Sequence, residues 1–460
     1  MKFRSLIGNR AFYHRLFSVM IPVLIQNVIT NFVNLLDNIM VGQVGTEPMS
    51  GVAIVNQLFF VFNLCLFAAV AGAGIFTAQY CGKGDHEGVR ATMRLKIWLA
   101  GGIVLIAGAI LLLFHERLIA LFLHEGEEGL DLQAAFIYGK AYLRVMLLQM
   151  IPFAAVQVYS GTLRDTGRTL LPMRAGITAV LVNLVLNYIL IFGKLGIPAL
   201  GVTGAAIATV LARICECAII IGVTHAGRQR PAFTDHLYST LRVPGSLIRD
   251  VSKAGLPLLA NELLWSGGMT VMNQCYSLRG LEVISAVNIS STVSNLFFCA
   301  FFAMGATISI IVGQHLGAGE LEKAVDEDRK LIAFSVALCT LLGGVMVLLA
   351  PQIPRVYNTT DGVRTLAAQM ITVSACLMPF FAFTNTCYFT LRSGGKTVIT
   401  FLFDSVYVWV LCIPAAFILS RFTGMHILPM YCIIQGLELI KCVIGYFFLR
   451  SRKWVNNLVA

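Results

Sequence analysis

Apolar stretches long enough to cross a bilayer recur along the whole chain, and charged or Gly/Pro-containing breaks cut them into twelve predicted helices. Their cores are expected near 15–38, 51–78, 96–122, 134–160, 172–193, 202–224, 252–277, 284–314, 331–350, 366–391, 398–419 and 427–449. The pattern predicts an all-α membrane protein. Its first helix is the least ordinary: Pro22 to Gly45, PVLIQNVITNFVNLLDNIMVGQVG, is apolar enough to enter a bilayer yet carries Asp37. On a helix Asn27, Asn31, Asn34 and Asn38 share one face, with Gln26 and Asp37 on its flank. Uncompensated amides and an ionisable group in hydrocarbon cost several kcal/mol, so this face should look into a protein interior or a water-filled cavity. An intramembrane acid with a cavity beside it suggests transport.

Sliding the sequence by 235 residues aligns its halves without a gap from Pro22 to Val89. Pro22 meets Pro257, Asn38 meets Asn273 and Gly45 meets Gly280. AQYCGKGDHE (78–87) lies on GQHLGAGELE (313–322), superposing Gln79 on Gln314, Gly82 on Gly317 and Gly84 on Gly319. With a slightly different offset, GTLRDTGRT (161–169) corresponds to FTLRSGGKT (389–397). Six helices separate the copies, so each half starts on the same side of the membrane and the repeats are parallel. Two pseudo-symmetric six-helix lobes around a central cleft are expected: an N-lobe over 1–226, a linker over 227–246 marked by Pro231, Thr234, Asp235 and Pro244, and a C-lobe over 247–460.

Composition agrees with the pattern. The 460 residues are 57% hydrophobic and 12% charged, with mean hydropathy +0.80, which excludes an ordinary soluble globule. The net charge of +11 is explained by its distribution rather than by nucleic acid. Lys2, Arg4, Arg10 and Arg15 precede the first helix, and further basic groups follow every second helix: Lys83 to Lys96, Arg164 to Arg174, Arg228 to Lys253, Lys323 to Lys330, Arg392 and Lys396, and Arg450 to Lys453. The intervening loops are poor in Lys and Arg, and the one around Glu125, Glu127, Glu128 and Asp131 is acidic. Both termini are therefore expected in the cytoplasm of a multi-pass plasma-membrane protein. The first apolar segment is too long and too polar for a signal sequence and reads as a retained helix. Most of the twelve cysteines, Cys65, Cys299, Cys339 and Cys412 among them, fall inside predicted helices as small apolar residues, so redox chemistry is not expected.

Further polar groups lie within the predicted spans. Asn56 and Asn63 share a face of the second helix, and Asn183 and Asn187 are one turn apart in the fifth. With Asp37 they make a candidate pocket, although for the asparagines alone amide bridging between packed helices is the favoured reading. In the C-terminal half Glu262 stands where the repeat has Asn27, with Ser266 and Asn273 on its face, and Asn288, Thr292 and Asn295 share a face of the eighth helix. Asp404 lies near Tyr407 and Trp409 in the eleventh. Arg213 with Glu216, and Glu438 with Lys441, are opposite charges at i, i+3 that read as self-neutralising pairs. SGGKT (393–397) lacks the leading glycine of a phosphate-binding loop, since Thr390 is there. No nucleophile elbow or zinc motif occurs either, so an enzyme is not expected and uphill movement would draw on an ion gradient.

Asp37 in LLDNIMVGQVG, the turn AQYCGKGD, the LRDTGRT loop and NLVLNYILIFGKLGIPALGVTGAAIATV (183–210) together resemble the multidrug and toxic compound extrusion (MATE) family of transporters over nearly the whole chain. The resemblance implies a secondary antiporter of two six-helix lobes that expels organic cations in exchange for protons or sodium. It places the first-helix acid on Asp37, the fifth-helix polar pair on Asn183 and Asn187, and the sixth-helix lining on Ala205 and Thr209. Some members have an acid where this chain has Asn187. Many have a seventh-helix glutamate deeper than Glu262 and a tenth-helix aspartate, where MPFFAFTNTCYFTLR (378–392) offers only Asn385.

The expected mechanism makes Asp37 the coupling carboxylate, with H+ or Na+ as its ion and no other metal or cofactor. Burial opposes its charged form, and Asn183 and Asn187 can donate hydrogen bonds to it. Gln26, Asn34, Asn56, Glu262, Asn273, Asn288 and Asp404 are candidates for the substrate cleft, with Thr209 beside the ion. Phe153, Tyr159, Trp265 and Phe298 would suit hydrophobic cations, unless they face lipid. The chain is expected to act as a monomer on small cationic drugs, without nucleic acid. The runner-up is a flippase of lipid-linked oligosaccharides or lipids, which should place several Arg or Lys within the cleft. A passive channel is the remaining class, which dependence on an ion gradient would argue against.

Overall fold

The computed structural model describes residues 6–122, 131–227, 230–357 and 359–460, apart from the side chains of Val33, Asn34, Leu35, Asn38 and Leu281. Lys2, Arg4, Arg228, the acidic Glu125, Glu127 and Glu128, and the side chains of Asn34 and Asn38 therefore lie outside the described residues. The described regular structure is helical throughout. In chain order the long helices are α1 (Arg10–Gly42), α2 (Thr46–Lys83), α3 (His86–Ala120), α4 (Leu132–Asp165), α5 (Leu170–Phe192), α6 (Gly201–Ala226), α7 (Gly245–Ser277), α8 (Leu281–Gly317), α9 (Leu321–Leu349), α10 (Asp361–Ser393), α11 (Thr397–Phe422) and α12 (Ile427–Arg450). Each predicted core falls within one of them to within two residues. Among the described residues, eleven helices are long and apolar enough to cross a bilayer. The twelfth, α7, has 33 residues but is less apolar, since it carries Arg249, Asp250, Lys253, Asn261, Glu262 and Asn273.

Prolines account for the irregular turns. Pro152 lacks an N–H and crowds the preceding turn, and α4 narrows to a 3-10 turn at Leu147–Gln149 just before it. In α11 two π turns, Leu402–Val406 and Val408–Cys412, run into Pro414. A π turn adds a residue to the helical ring and re-aims the side chains on it.

The chain forms two compact units. One comprises Ile25–Thr77 and Asp85–Val251. Within it α5 packs along α6, and α4 packs against both α3 and α6. The segment after α6 is tied down rather than loose: Arg94 donates from Nε to the Leu237 carbonyl at 2.8 Å and from Nη2 to that of His236 at 3.2 Å. Arg90 donates to the Asp235 carbonyl at 2.9 Å, and Trp98 to that of Leu241 at 3.1 Å.

The second unit comprises Met1–Leu24, Ala78–Gly84 and Ser252–Ala460. Here α8, α9 and α10 pack mutually, and α12 lies along α10. Phe12, Leu16 and Met20 of α1 share a core with Met304, Ile308 and Ile311 of α8 and with Trp454. Arg15 reaches Gln314 Oε1 at 2.9 Å and His315 Nε2 at 2.7 Å. The end of α2 crosses the end of α8 backbone to backbone. A Cβ on Gly82 would stand 1.9 Å from the Gln314 carbonyl oxygen, and one on Gly317 would stand 1.9 Å from that of Gln79. These are repeat mates, so the crossing is symmetric, and both helices then turn at glycines with φ +77, Gly84 and Gly319.

The residues after α12 close over this crossing. Gln79 donates to the carbonyls of Ser393 (3.0 Å) and Asn456 (3.3 Å) and accepts from the Leu458 N–H (2.7 Å). Lys83 Nζ meets the Val459 carbonyl, and Asn457 donates to the Gly317 carbonyl at 3.4 Å. Trp454 is fully buried.

Gly82→Ala and Gly317→Ala are each expected to cost about 1–3 kcal/mol, because the obstructing atoms are backbone and cannot rotate away. Thermal unfolding in detergent should show a lower midpoint for both, whereas Gly108→Ala, which meets open space, should leave it unchanged or raise it.

Candidate functional site

Asp37 stands half-buried on α1, within the unit that also contains α5 and α6. Asn183 and Asn187, one turn apart on α5, are 6% and 2% exposed, so their amides must be satisfied inside the bundle. Asn187 donates from Nδ2 to Asp37 Oδ1 at 2.6 Å and to Asn183 Oδ1 at 3.1 Å. Asn183 in turn donates to Thr209 Oγ1 on α6 at 3.3 Å, and Thr209 donates to the Ala205 carbonyl at 3.0 Å. Four residues singled out in the sequence thus meet in one hydrogen-bonded chain across three helices. A neutral amide supports the carboxylate without cancelling its charge, which leaves the group able to take up a monovalent cation or a proton.

Gln26 lies on the same unit beside Gly176 and Glu216: a Cβ on Gly176 would come within 3.3 Å of Gln26 Nε2 and 3.6 Å of Glu216 Oε1. Glu216 is buried and accepts from Arg213 Nη1 at 2.7 Å, the i, i+3 pair expected from the spacing. Arg213 also lies over the Phe153 ring at 5.3 Å. Asn56 and Asn63 do not join Asp37; both are exposed on α2. Tyr159 is buried at the linker, hydrogen-bonded to His225 at 2.9 Å and to Tyr238, and so belongs to packing.

The other unit holds a second polar cluster. Asp404, inside the first π turn of α11, accepts from Lys441 Nζ of α12 at 2.8 Å and from Asn261 Nδ2 of α7 at 3.2 Å. Ser405 hydrogen-bonds the Asn261 carbonyl and its Oδ1, both at 2.8 Å, and the Tyr388 hydroxyl is 3.4 Å from Asn261 Nδ2. The expected Glu438–Lys441 pair is corrected here. Lys441 turns to Asp404 on the neighbouring helix, and Glu438 accepts instead from Thr384 Oγ1. Glu262 is half-buried beside this cluster, whereas Asn273 and Asn288 are exposed on α7 and α8 and stand apart from it. Phe298 stacks on Phe301 at 4.9 Å, and Trp265 is exposed. Asn261 and Ser405 were not singled out in the sequence. The repeat held the signal for Asn261, since an offset of 235 sets it on Gln26.

Among the described residues, no group of three or more His, Cys, Asp or Glu side chains is arranged to hold a metal ion. The sites above offer carboxylates with amides and hydroxyls, joined at Asp404 by the Lys441 ammonium.

Comparison with known proteins bears on what the sites serve. The MatE family model matches the chain twice, over residues 22–189 and 257–418. The matches begin 235 residues apart, the spacing of the internal repeat. A Thermotoga maritima protein named "Probable multidrug resistance protein NorM" is 26% identical over 449 residues, covering 96% of this chain and 93% of its own. A Bacillus subtilis protein named "Probable multidrug resistance protein YoeA" is 22% identical over 451 residues, covering 96% and 94%. Among solved structures, MATE in complex with MaL6 superposes with a TM-score of 0.85 at 19% identity over 98% of this chain and 97% of that one. A mutant of the Vibrio cholerae MATE transporter VcmN gives 0.84 at 18% identity over 98% and 99%. These structures share the fold.

Asn187→Leu is expected to destabilise the protein by about 1–3 kcal/mol, because it takes a donor from a carboxylate inside the bundle. Combining it with Asp37→Leu should cost clearly less than the sum of the single changes in a double-mutant cycle read by thermal unfolding; strict additivity would mean the pair is not coupled.

Proposed function

Because this chain belongs to the MatE family, a family of multi-pass membrane transporters and not of enzymes, we propose that it is a secondary antiporter that expels hydrophobic organic cations in exchange for H+ or Na+. The observation that carries the reading is the Asp37–Asn187 hydrogen bond at 2.6 Å, backed by Asn183 and Thr209. The carboxylate is held by an amide that fixes its direction and keeps it able to exchange a cation, with Arg213 within electrostatic range. The printed names of the relatives, with their reference to multidrug resistance, support drug-like substrates.

The coupling follows from reciprocity. If a bound ion at Asp37 weakens binding of the organic cation, the organic cation must weaken the ion by the same factor, so each drives the other off. In this reading two repeats of six helices provide alternating access, and the distribution of the basic loops supports a cytoplasmic location for both termini. Asn56, Asn273 and Asn288, exposed on α2, α7 and α8, and the half-buried Gln26 and Glu262 remain proposed substrate contacts. The chain is proposed to work as a monomer, with the coupling ion as co-substrate rather than cofactor.

The test is ethidium efflux from proteoliposomes under a proton gradient or a sodium gradient, imposed separately. Wild type should move ethidium under one of them, and Asp37→Asn should lose that dependence by at least about tenfold, the effect of removing about 1.4 kcal/mol of coupling. Retained gradient-driven efflux in Asp37→Asn would remove the residue from the mechanism. No gradient-dependent movement by wild type would count against cation antiport and favour assays with a lipid-linked sugar.

A further inference from the structure

Two half-buried aspartates, Asp37 and Asp404, are built alike up to a point. Each accepts from an asparagine amide on another helix, Asn187 at 2.6 Å in one case and Asn261 at 3.2 Å in the other. Asp404 has in addition an ammonium: Lys441 Nζ lies 2.8 Å from Oδ1, with the lysine side chain 11% and the aspartate side chain 20% exposed. The ammonium also sits over the Phe403 ring at 5.2 Å, so carboxylate and ring hold it between them. A nearer partner in sequence was available. Glu438 is one turn earlier on α12, yet it is taken up by Thr384, and Lys441 reaches to α11. The π turn Leu402–Val406 contains Asp404 and sets the direction in which its side chain leaves α11.

The internal repeat sharpens the contrast. At an offset of 228, which aligns the loops 161–169 and 389–397, Lys441 falls on Arg213 and Asp404 falls on Gly176. The first copy therefore has a base at the same helical position, but Gly176 where the second has Asp404, and Arg213 lies instead within electrostatic range of Asp37. Its base is neutralised three residues on by Glu216 at 2.7 Å. At this repeat position the second copy joins its base to an acid of the neighbouring helix, whereas the first joins it to an acid of its own helix.

We propose that Lys441 is a tethered cation: it occupies Asp404 from within the chain, taking the place of an exchangeable monovalent cation, and thereby confines ion exchange to Asp37. The inference rests on the ion-coupled reading of Asp37. An ammonium carried on a side chain has an effective concentration far above that of a free ion, so it holds the carboxylate against solution cations. Its removal converts Asp404 into a site of the same kind as Asp37, with Asn261 as its amide donor. Glu262, Glu438, Arg392, Tyr388, Tyr407, Cys387, Cys412 and Cys442 are the other titratable groups around the pair, and they stay in place in the test.

The experiment uses the full chain purified in detergent, in the Asp37→Asn background so that binding at the first acid is removed. Lys441→Gln is compared with its parent, with Lys441→Arg and with the combined Asp404→Asn, Lys441→Gln change. The readings are binding of radiolabelled sodium, proton uptake on acidification, and the shift of Tm with sodium or methylammonium chloride against choline chloride. Lys441→Gln should gain about one bound sodium or proton per chain, or a Tm rise of about 3 °C at a hundredfold excess of cation over its Kd. Lys441→Arg and the combined variant should show no gain. A destabilised Lys441→Gln protein still reports, because ligand binding to the folded state raises its Tm. No gain by any of the three readings overturns the proposal, as does a gain that survives Asp404→Asn. Ion binding left intact in the Asp37→Asn parent would count against the Asp37 reading alone, since the effect of Lys441 is read as the difference from that parent.

Discussion

A charge or an amide in hydrocarbon must be answered by another group of the same chain, because no water is there to do it, and this requirement organises both units. On one side the answer is a relay of neutral donors from Asn187 through Asn183 and Thr209 to the Ala205 carbonyl. On the other it is an ammonium and an amide on the two oxygens of Asp404. Of the helices that supply these partners, α5 and α6 approach closely at a small residue: a Cβ on Gly204 would stand 2.6 Å from the Leu190 carbonyl oxygen. Bundle geometry and polar satisfaction are therefore one problem rather than two.

Much of this was legible in the sequence. Hydropathy located all twelve helices, because a bilayer imposes a length and an apolarity that few other structures need. The polar turn Asn183–Asn187 and the acid Asp37 stood out for the same reason, and they do meet. Partner choice was harder to read. Lys441 looked paired with Glu438 because i, i+3 spacing is the one geometry a sequence displays directly, whereas the partner it adopts depends on a π turn in another helix. Asn261 escaped notice beside Glu262, since a charged neighbour draws attention that the repeat would have given to the amide. Asn56 and Asn273 illustrate the reverse: periodicity puts them on polar faces, and it says nothing about which polar faces meet.

The internal repeat is informative because the copies agree on backbone and differ on chemistry. Gln79 with Gly82 and Gln314 with Gly317 make a crossing that is the same from either side. Arg213 and Lys441 share a helical position and differ in the acid that neutralises them. Duplication supplied two similar scaffolds whose sequences have diverged widely, and where the divergence changes an intramembrane charge that charge has to be balanced locally.

The segment after α12 is held by its main chain together with the Asn457 side chain and the buried Trp454 and Val459. Gln79 reads the carbonyl of Asn456 and the N–H of Leu458, and Lys83 reads the carbonyl of Val459; Trp454 is the large side chain committed to the core. Contacts of that kind are indifferent to spelling. A single-residue insertion or deletion between Trp454 and Val459 would move every one of these carbonyls out of reach, so the stretch should resist drift in spacing more strongly than drift in composition at Asn456, whose side chain makes none of these contacts.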